Sequence, residues 1–481
     1  MAGRTGQRPR AETLPGGAPS DFWKSFGPGL LWAAAAIGVS HLVQSTRAGA
    51  DAGFALTGVV LLALVLKYPF FEYGPRYAAA TGESLVEGYR RIGRWALWTY
   101  FGITVATAVV IASAIVVFTG FLAIYVLGLD WPIPIAGGLI FLVCGVMLRI
   151  GRFRLLDRAI KAVLVALAVS TVIAALIALP HADFSTFALW PGDALDFTTF
   201  AFILALVGWM PSAIDIAVWS SLWTLAKDDD AGQRTSVAHA RFDFVVGYVG
   251  TGLMALAFLT LGAAVMHGAG ESFSAQGTAF SVQLVDLYGE TLPLGGWARP
   301  LVAVAVLTTM FSTALTVIDG FPRAIARSIR GLQGPEPARL PPAGRRADAT
   351  AAAAVMAVAA DGATGADADD ARLHPTPTAD PADRGTAQDE DPLYWIALVA
   401  MGVLTTLVLA LFVGSLTGMV DFATIVSFLT APVLGYLNLR AVTADEVPPE
   451  HRPGRAMRVL SYVGLFLLGG TGVVYLLTLV A

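Results

Sequence analysis

Eleven times along its 481 residues the chain runs through a stretch of about 20 apolar side chains. The stretches cover roughly 28–48, 54–78, 97–127, 132–149, 156–179, 198–225, 242–267, 297–320, 393–415, 419–440 and 457–480. Coiled as a helix, each is long enough to cross the hydrocarbon core of a bilayer. Lipid offers the backbone no hydrogen-bond partner, so chains patterned this way cross as helices. The basic residues test the count independently, because Lys and Arg gather on the cytoplasmic side. With the N-terminus inside, all of the 31 basic residues except Arg47, Lys67 and Arg299 fall at inner ends or in inner loops. The pattern predicts an all-α, multi-pass protein of the cell membrane with eleven transmembrane helices. Its N-terminus is expected in the cytoplasm and its C-terminus outside.

Composition agrees: 56% of residues are apolar and 14% charged, where a soluble domain carries about 25% charged residues. A net charge of −4 gives no reason to expect a nucleic-acid partner. Cys144 is the single cysteine, which excludes an intrachain disulfide and a thiolate metal cluster. Residues 1–26 read as a polar cytoplasmic N-terminus without the early apolar core of a cleaved signal. Residues 27–330 hold spans one to eight, and 392–481 hold spans nine to eleven. Between them, 331–391 is rich in Ala, Pro, Asp and Gly and poor in aromatics. Such a stretch cannot bury enough apolar surface to order itself and reads as a disordered cytoplasmic linker.

Two spans are interrupted near their middles. The first carries Gly38-Val39-Ser40-His41 and then Gln44, and the sixth carries Gly208-Trp209-Met210-Pro211-Ser212 with Asp215 beyond. Polar groups at midplane depth suggest broken helices lining a site, and two such breaks in corresponding positions are the best pointer to a transporter's binding site. His41 is a candidate metal ligand through its imidazole, against a histidine merely bonded between helices. Met210 offers a soft thioether, which favours transition metals over Mg, or is core filler. Pro211 removes an amide donor and frees carbonyls. Asp215 is either a metal ligand, a proton carrier, or an acid at the start of a half-helix. Ser40, Gln44 and Ser212 are candidates for substrate or coupling-ion oxygens, against the reading as polar glue between helices. Glu72 and Asp319, near cytoplasmic ends, read as inner-gate or interface charges, and Lys67, deeper, is expected to be paired.

Around these breaks the sequence resembles the Nramp family of divalent metal transporters. Gly27-Pro28-Gly29 and Ala48-Gly49-Ala50 frame the first span with the family's spacing. The family's Asp-Pro-Gly-Asn falls on Gly38, Val39, Ser40 and His41, and its Ala-x-x-Met-Pro-His on Val207 through Ser212. Further likeness runs through Ala79–Leu85 and through Phe153-Arg154-Leu155-Leu156-Asp157. The resemblance implies the LeuT-type fold, two inverted repeats of five helices (spans 1–5 and 6–10) plus one, with spans 1 and 6 broken. It implies a metal site at Gly38, His41, Val207 and Met210. Within that frame Gly38, His41, Val207 and Ser212 depart from the family's ligands, and Ala106–Ile111 of span three holds no carboxylate for the family's proton route.

No nucleophile–base pair or phosphate-binding glycine loop points to an enzyme. The expected function is secondary transport of a divalent metal cation by alternating access, with no resident cofactor and with a coupling proton or other ion left open. The rival readings are a transporter of a small organic solute on the same fold, as Gly38 makes room for a carboxylate, and a non-transporting membrane sensor or scaffold.

Overall fold

The computed structural model describes residues 27–150, 153–188, 197–231, 234–292, 295–334, 391–412 and 415–480, and these are helical with no strand among them. The N-terminal segment and most of the expected linker lie outside the described residues. Each apolar stretch holds helix. The first is divided into α1 (Pro28–Ala36), a π-helical turn (Ser40–Ser45) and α2 (Thr46–Ala52). Next come α3 (Thr57–Thr81), α4 (Leu85–Ile92), α5 (Arg94–Leu127), α6 (Ile133–Ile150) and α7 (Phe153–Ala178). The sixth stretch is divided into α8 (Phe197–Trp209) and α9 (Ile216–Ala231). Then follow α10 (Val237–Leu261), α11 (Gly277–Thr291), α12 (Ala298–Gln333), α13 (Pro392–Phe412), α14 (Leu416–Val442) and α15 (Arg455–Thr478). Of these, α3, α5, α6, α10, α12, α13, α14 and α15 are each long and apolar enough to cross a membrane unaided.

Two of the helices lie where the sequence pattern suggested loops. The inner loop after α3 carries α4, opened by a capping box in which Ser84 and Glu87 satisfy each other's backbone donors. Its Leu85, Val86 and Tyr89 bury on one face. The outer loop after α10 carries α11, whose Phe280, Leu284, Leu287 and Tyr288 recur at helical spacing and are buried. Both are too short to cross, so a search for spans passes over them. In addition, α12 runs on to Gln333, just past the expected start of the linker.

The helices divide into an inner set and an outer set. In the apolar core of α3, 78% of residues are buried, against 28% for α6, α13 and α15. Uncovered apolar flanks on that scale suit contact with lipid tails rather than water.

One helix, α10, aligns both halves of the first segment. At its start, the Asp243 carboxylate accepts from the Gly29 amide at 2.8 Å, satisfying a donor that the first turn of α1 would leave orphaned. A methyl at Gly29 would sit 2.2 Å from the Asp243 carbonyl, so only glycine allows that approach. At the far end, a methyl at Gly49 would sit 2.0 Å from the Leu259 carbonyl. Two motifs that frame the first span are therefore both seats on the same strut.

Candidate functional site

The first interruption follows from the loss of helical hydrogen bonding after Ala36. The Gly38 amide reaches back only to the Ala36 carbonyl at 2.9 Å. Ser40 then donates to that same carbonyl at 2.6 Å, a side-chain bond of the kind that competes with helix. The second interruption follows from Pro211, which has no amide to donate. Residues 210–215 are non-helical, and the Met210–Pro211 peptide is cis.

Between the two interruptions lies a buried cavity of about 40 Å³, room for a few waters or a partly dehydrated cation. Its polar lining comes from Ser40, Ser212, Asp215 and Thr313, and its walls from Ile111 and Ile115 of α5, Trp209, Trp219, and Val317 and Phe321 of α12. Asp215 stands out. It is 2% exposed, and neither carboxylate oxygen has a hydrogen-bond partner in the surrounding protein. It occupies the cap position of α9, where the helix dipole favours negative charge.

The carbonyls freed by the second break already have a partner. Lys67, buried on α3, donates from Nζ to the carbonyls of Val207 at 2.9 Å, Gly208 at 2.8 Å and Ser212 at 2.8 Å. Its charge also acts on Asp215, without direct contact.

The other expected site residues are distributed around this cavity rather than in it. His41 is fully buried, its Nδ1 at 2.7 Å from Ser40 Oγ and 3.1 Å from the Ala36 carbonyl, its Nε2 at 2.9 Å from the Thr251 carbonyl. The ring thus bridges the end of α1 to α10 and is not among the groups lining the cavity. Met210 is fully buried and, like Pro211, not among them, while Trp209 and Ser212 on either side of the pair are. Val207 is half-buried and contributes its carbonyl to Lys67. Pro211 shapes the turn. Gly38 faces α12: a methyl there would meet the Thr313 hydroxyl and methyl at 2.8 Å, so Thr313 fills the place an acidic side chain would need.

Gln44 points away to α14, donating to Asp421 at 3.0 Å and Thr424 at 3.2 Å. Glu72 is enclosed by two arginines, Arg76 on its own helix (2.7 Å) and Arg241 on α10 (2.7 Å). Asp319 pairs with Arg323 at 2.7 Å and accepts from Tyr394 of α13 at 2.8 Å. Glu72 and Asp319 thus tie helices together and lie outside the cavity. Sequence reasoning missed Thr313, for which an ordinary threonine in a helix gives no signal. It also missed the clamp of Arg47 on Asp421 at 2.7 Å, although Asp421 at the start of span ten was a visible charge. No group of three or more His, Cys, Asp or Glu side chains able to hold a metal occurs among the described residues.

A family model for natural resistance-associated macrophage protein-like proteins matches residues 29–330, more than half of the chain. The chain belongs to the Nramp family. An uncharacterized protein of Pasteurella multocida is 32% identical over 453 residues, 92% of this chain and 90% of that protein. The divalent metal cation transporter MntH of Chromohalobacter salexigens is 29% identical over 269 residues, 54% of this chain and 61% of that protein. The crystal structure of the Eremococcus coleocola manganese transporter, in complex with an aromatic bis-isothiourea substituted compound, shares the fold at a TM-score of 0.56 and 16% identity, over 96% of this chain and 88% of that one. The solved structures this chain resembles are LeuT-fold transporters, a fold it shares; the family and the apolar helices make this Nramp protein a multi-pass membrane protein, helical throughout its described residues.

Proposed function

We propose that this Nramp protein is a secondary transporter that moves a divalent metal cation across the membrane by alternating access, with Asp215 as the anionic ligand. The observation that carries the reading is the Asp215 carboxylate, buried without a hydrogen-bond partner against a cavity between two interrupted segments. A buried charge left in that state is costly and is kept where function needs it. The divalent metal cation transporter in the same family supports the choice of cargo.

The donor set is the Asp215 carboxylate with the hydroxyls of Ser40, Ser212 and Thr313. Such an oxygen set suits Mg²⁺, Mn²⁺ or Ca²⁺ better than a softer metal. A transition-metal preference through Met210 and His41 would require both side chains to turn into the cavity from their present positions. We assign His41 instead to pinning the first break onto α10. A cavity of about 40 Å³ is far below the 300–1,000 Å³ of small-molecule pockets, which argues against an organic solute.

In this reading the helices make eleven crossings, the first and sixth broken, as two inverted five-helix repeats and one further helix. The N-terminus is cytoplasmic and the C-terminus outside, a reading supported by the distribution of basic residues. Spans 1, 2, 6 and 7 rock against the rest, and deleting 335–388 should leave uptake intact. Uptake of Mn²⁺, Mg²⁺, Fe²⁺ and Zn²⁺ into proteoliposomes, wild type against Asp215→Asn and His41→Ala, tests the assignment. Asp215→Asn should lose uptake of every ion carried, and His41→Ala should lower the melting temperature more than it alters ion preference. Undiminished uptake by Asp215→Asn would remove it from the pathway.

A further inference from the structure

We propose that the carbonyls released at the second interruption form a monovalent cation site, and that this chain occupies it permanently with the tip of its own Lys67. The geometry is that of a coordinated ion. Three carbonyl oxygens, from Val207, Gly208 and Ser212, converge on one nitrogen at 2.8–2.9 Å. An ammonium has three donors and no acceptor, so this trio saturates it. The three oxygens come from both sides of Pro211; no backbone amide bonds those of Gly208 and Ser212, and that of Val207 keeps only a 3.2 Å bond from the Met210 amide. Unwound carbonyls in an interrupted membrane helix are a known class of cation ligand. The Phe71 ring lies 5.5 Å from the same nitrogen, a further attraction for positive charge. Asp215 supplies the opposite charge nearby without touching it.

A mere tie between α3 and α8 would not need a lysine. A hydroxyl or amide bonds one or two carbonyls without the cost of placing a charge at the centre of a membrane helix. What distinguishes a lysine is that it delivers a full positive charge to a fixed point on a tether. Removing the tip should therefore leave a vacancy that a small free cation can enter.

The test uses the full chain in detergent, comparing the wild type, Lys67→Ala and Lys67→Met. Thermal melts are recorded with methylammonium chloride, sodium chloride or choline chloride at equal ionic strength. Methylammonium reproduces the lysine tip, sodium offers a bare monovalent ion, and choline is too large and its quaternary nitrogen carries no N–H. Lys67→Ala should melt below the wild type and regain several degrees with methylammonium or sodium but not choline, while the wild type responds to none of them differently. Its Mn²⁺ uptake should fall by about tenfold and recover with the same salts. Lys67→Met keeps most of the stem and fills the vacancy, so it should stay folded, transport poorly and show no rescue. The proposal is overturned if Lys67→Ala distinguishes neither salt from choline, or if Lys67→Met melts and transports as the wild type does. The melts need no transported metal, so they stand apart from the choice of divalent cargo.

Discussion

At the scale of single residues, Asp215 and Gly38 carry opposite lessons. Asp215 was legible because a carboxylate within a membrane stretch needs a reason. Helical geometry alone, however, would turn it about 140° away from Met210. The non-helical turn at 210–215 removes that constraint, so Asp215 faces the cavity while Met210 packs elsewhere. Asp215→Asn should lose transport yet leave the melting temperature equal or higher, because the amide removes a buried charge that no hydrogen bond satisfies. A melt and an uptake assay on the same preparation check both halves. Gly38 was read as space for a ligand, whereas Thr313 already occupies that space. Gly38→Asp alone should destabilise the protein, by about 1–3 kcal/mol for overpacking a filled site. Combining it with Thr313→Ala should recover most of the loss, a coupling that a double-mutant melt detects.

At the scale of elements, apolar runs were enough to locate stretches that hold helix, and eight of the described helices are long and apolar enough to cross a membrane. Those runs were silent on α4 and α11, which are amphipathic and short, and on the two π-helical turns at 40–45 and 262–266. The second of these turns packs against α2, where α2 crosses the end of α10. A methyl at Gly262 would lie 2.1 Å from the Thr46 carbonyl, as one at Gly49 would lie 2.0 Å from that of Leu259. A conflict with backbone cannot be relieved by a side-chain rotation. Gly49→Ala should therefore cost about 3 kcal/mol or more, where Gly250→Ala, which has open space on α10, should be neutral or stabilising. Comparative melts decide it. Glycine motifs can be located in a sequence, but which partner they approach becomes visible only in three dimensions.

At the scale of the whole molecule, the first span's second half is tied to α14 by Arg47, Gln44, Asp421 and Thr424. In a transporter that rocks its broken helices against a scaffold, this clasp crosses the moving boundary. Asp421→Asn should loosen it and speed labelling of a Ser40→Cys variant by an impermeant thiol reagent, up to about fivefold for a partly exposed pair. The native Cys144 is buried and leaves a low background. Unchanged labelling would place the clasp outside the gating motion. Nothing in single-sequence pattern pairs residue 47 with residue 421, since the contact depends on how distant helices assemble.

The most direct measurement is anomalous diffraction from crystals soaked in Mn²⁺. The expected map has one strong peak in the cavity at coordination distance from the Asp215 carboxylate, with Ser40, Ser212 or Thr313 beside it, and the peak vanishes in Asp215→Asn. A peak on His41 and Met210 with none at Asp215 would contradict the central claim.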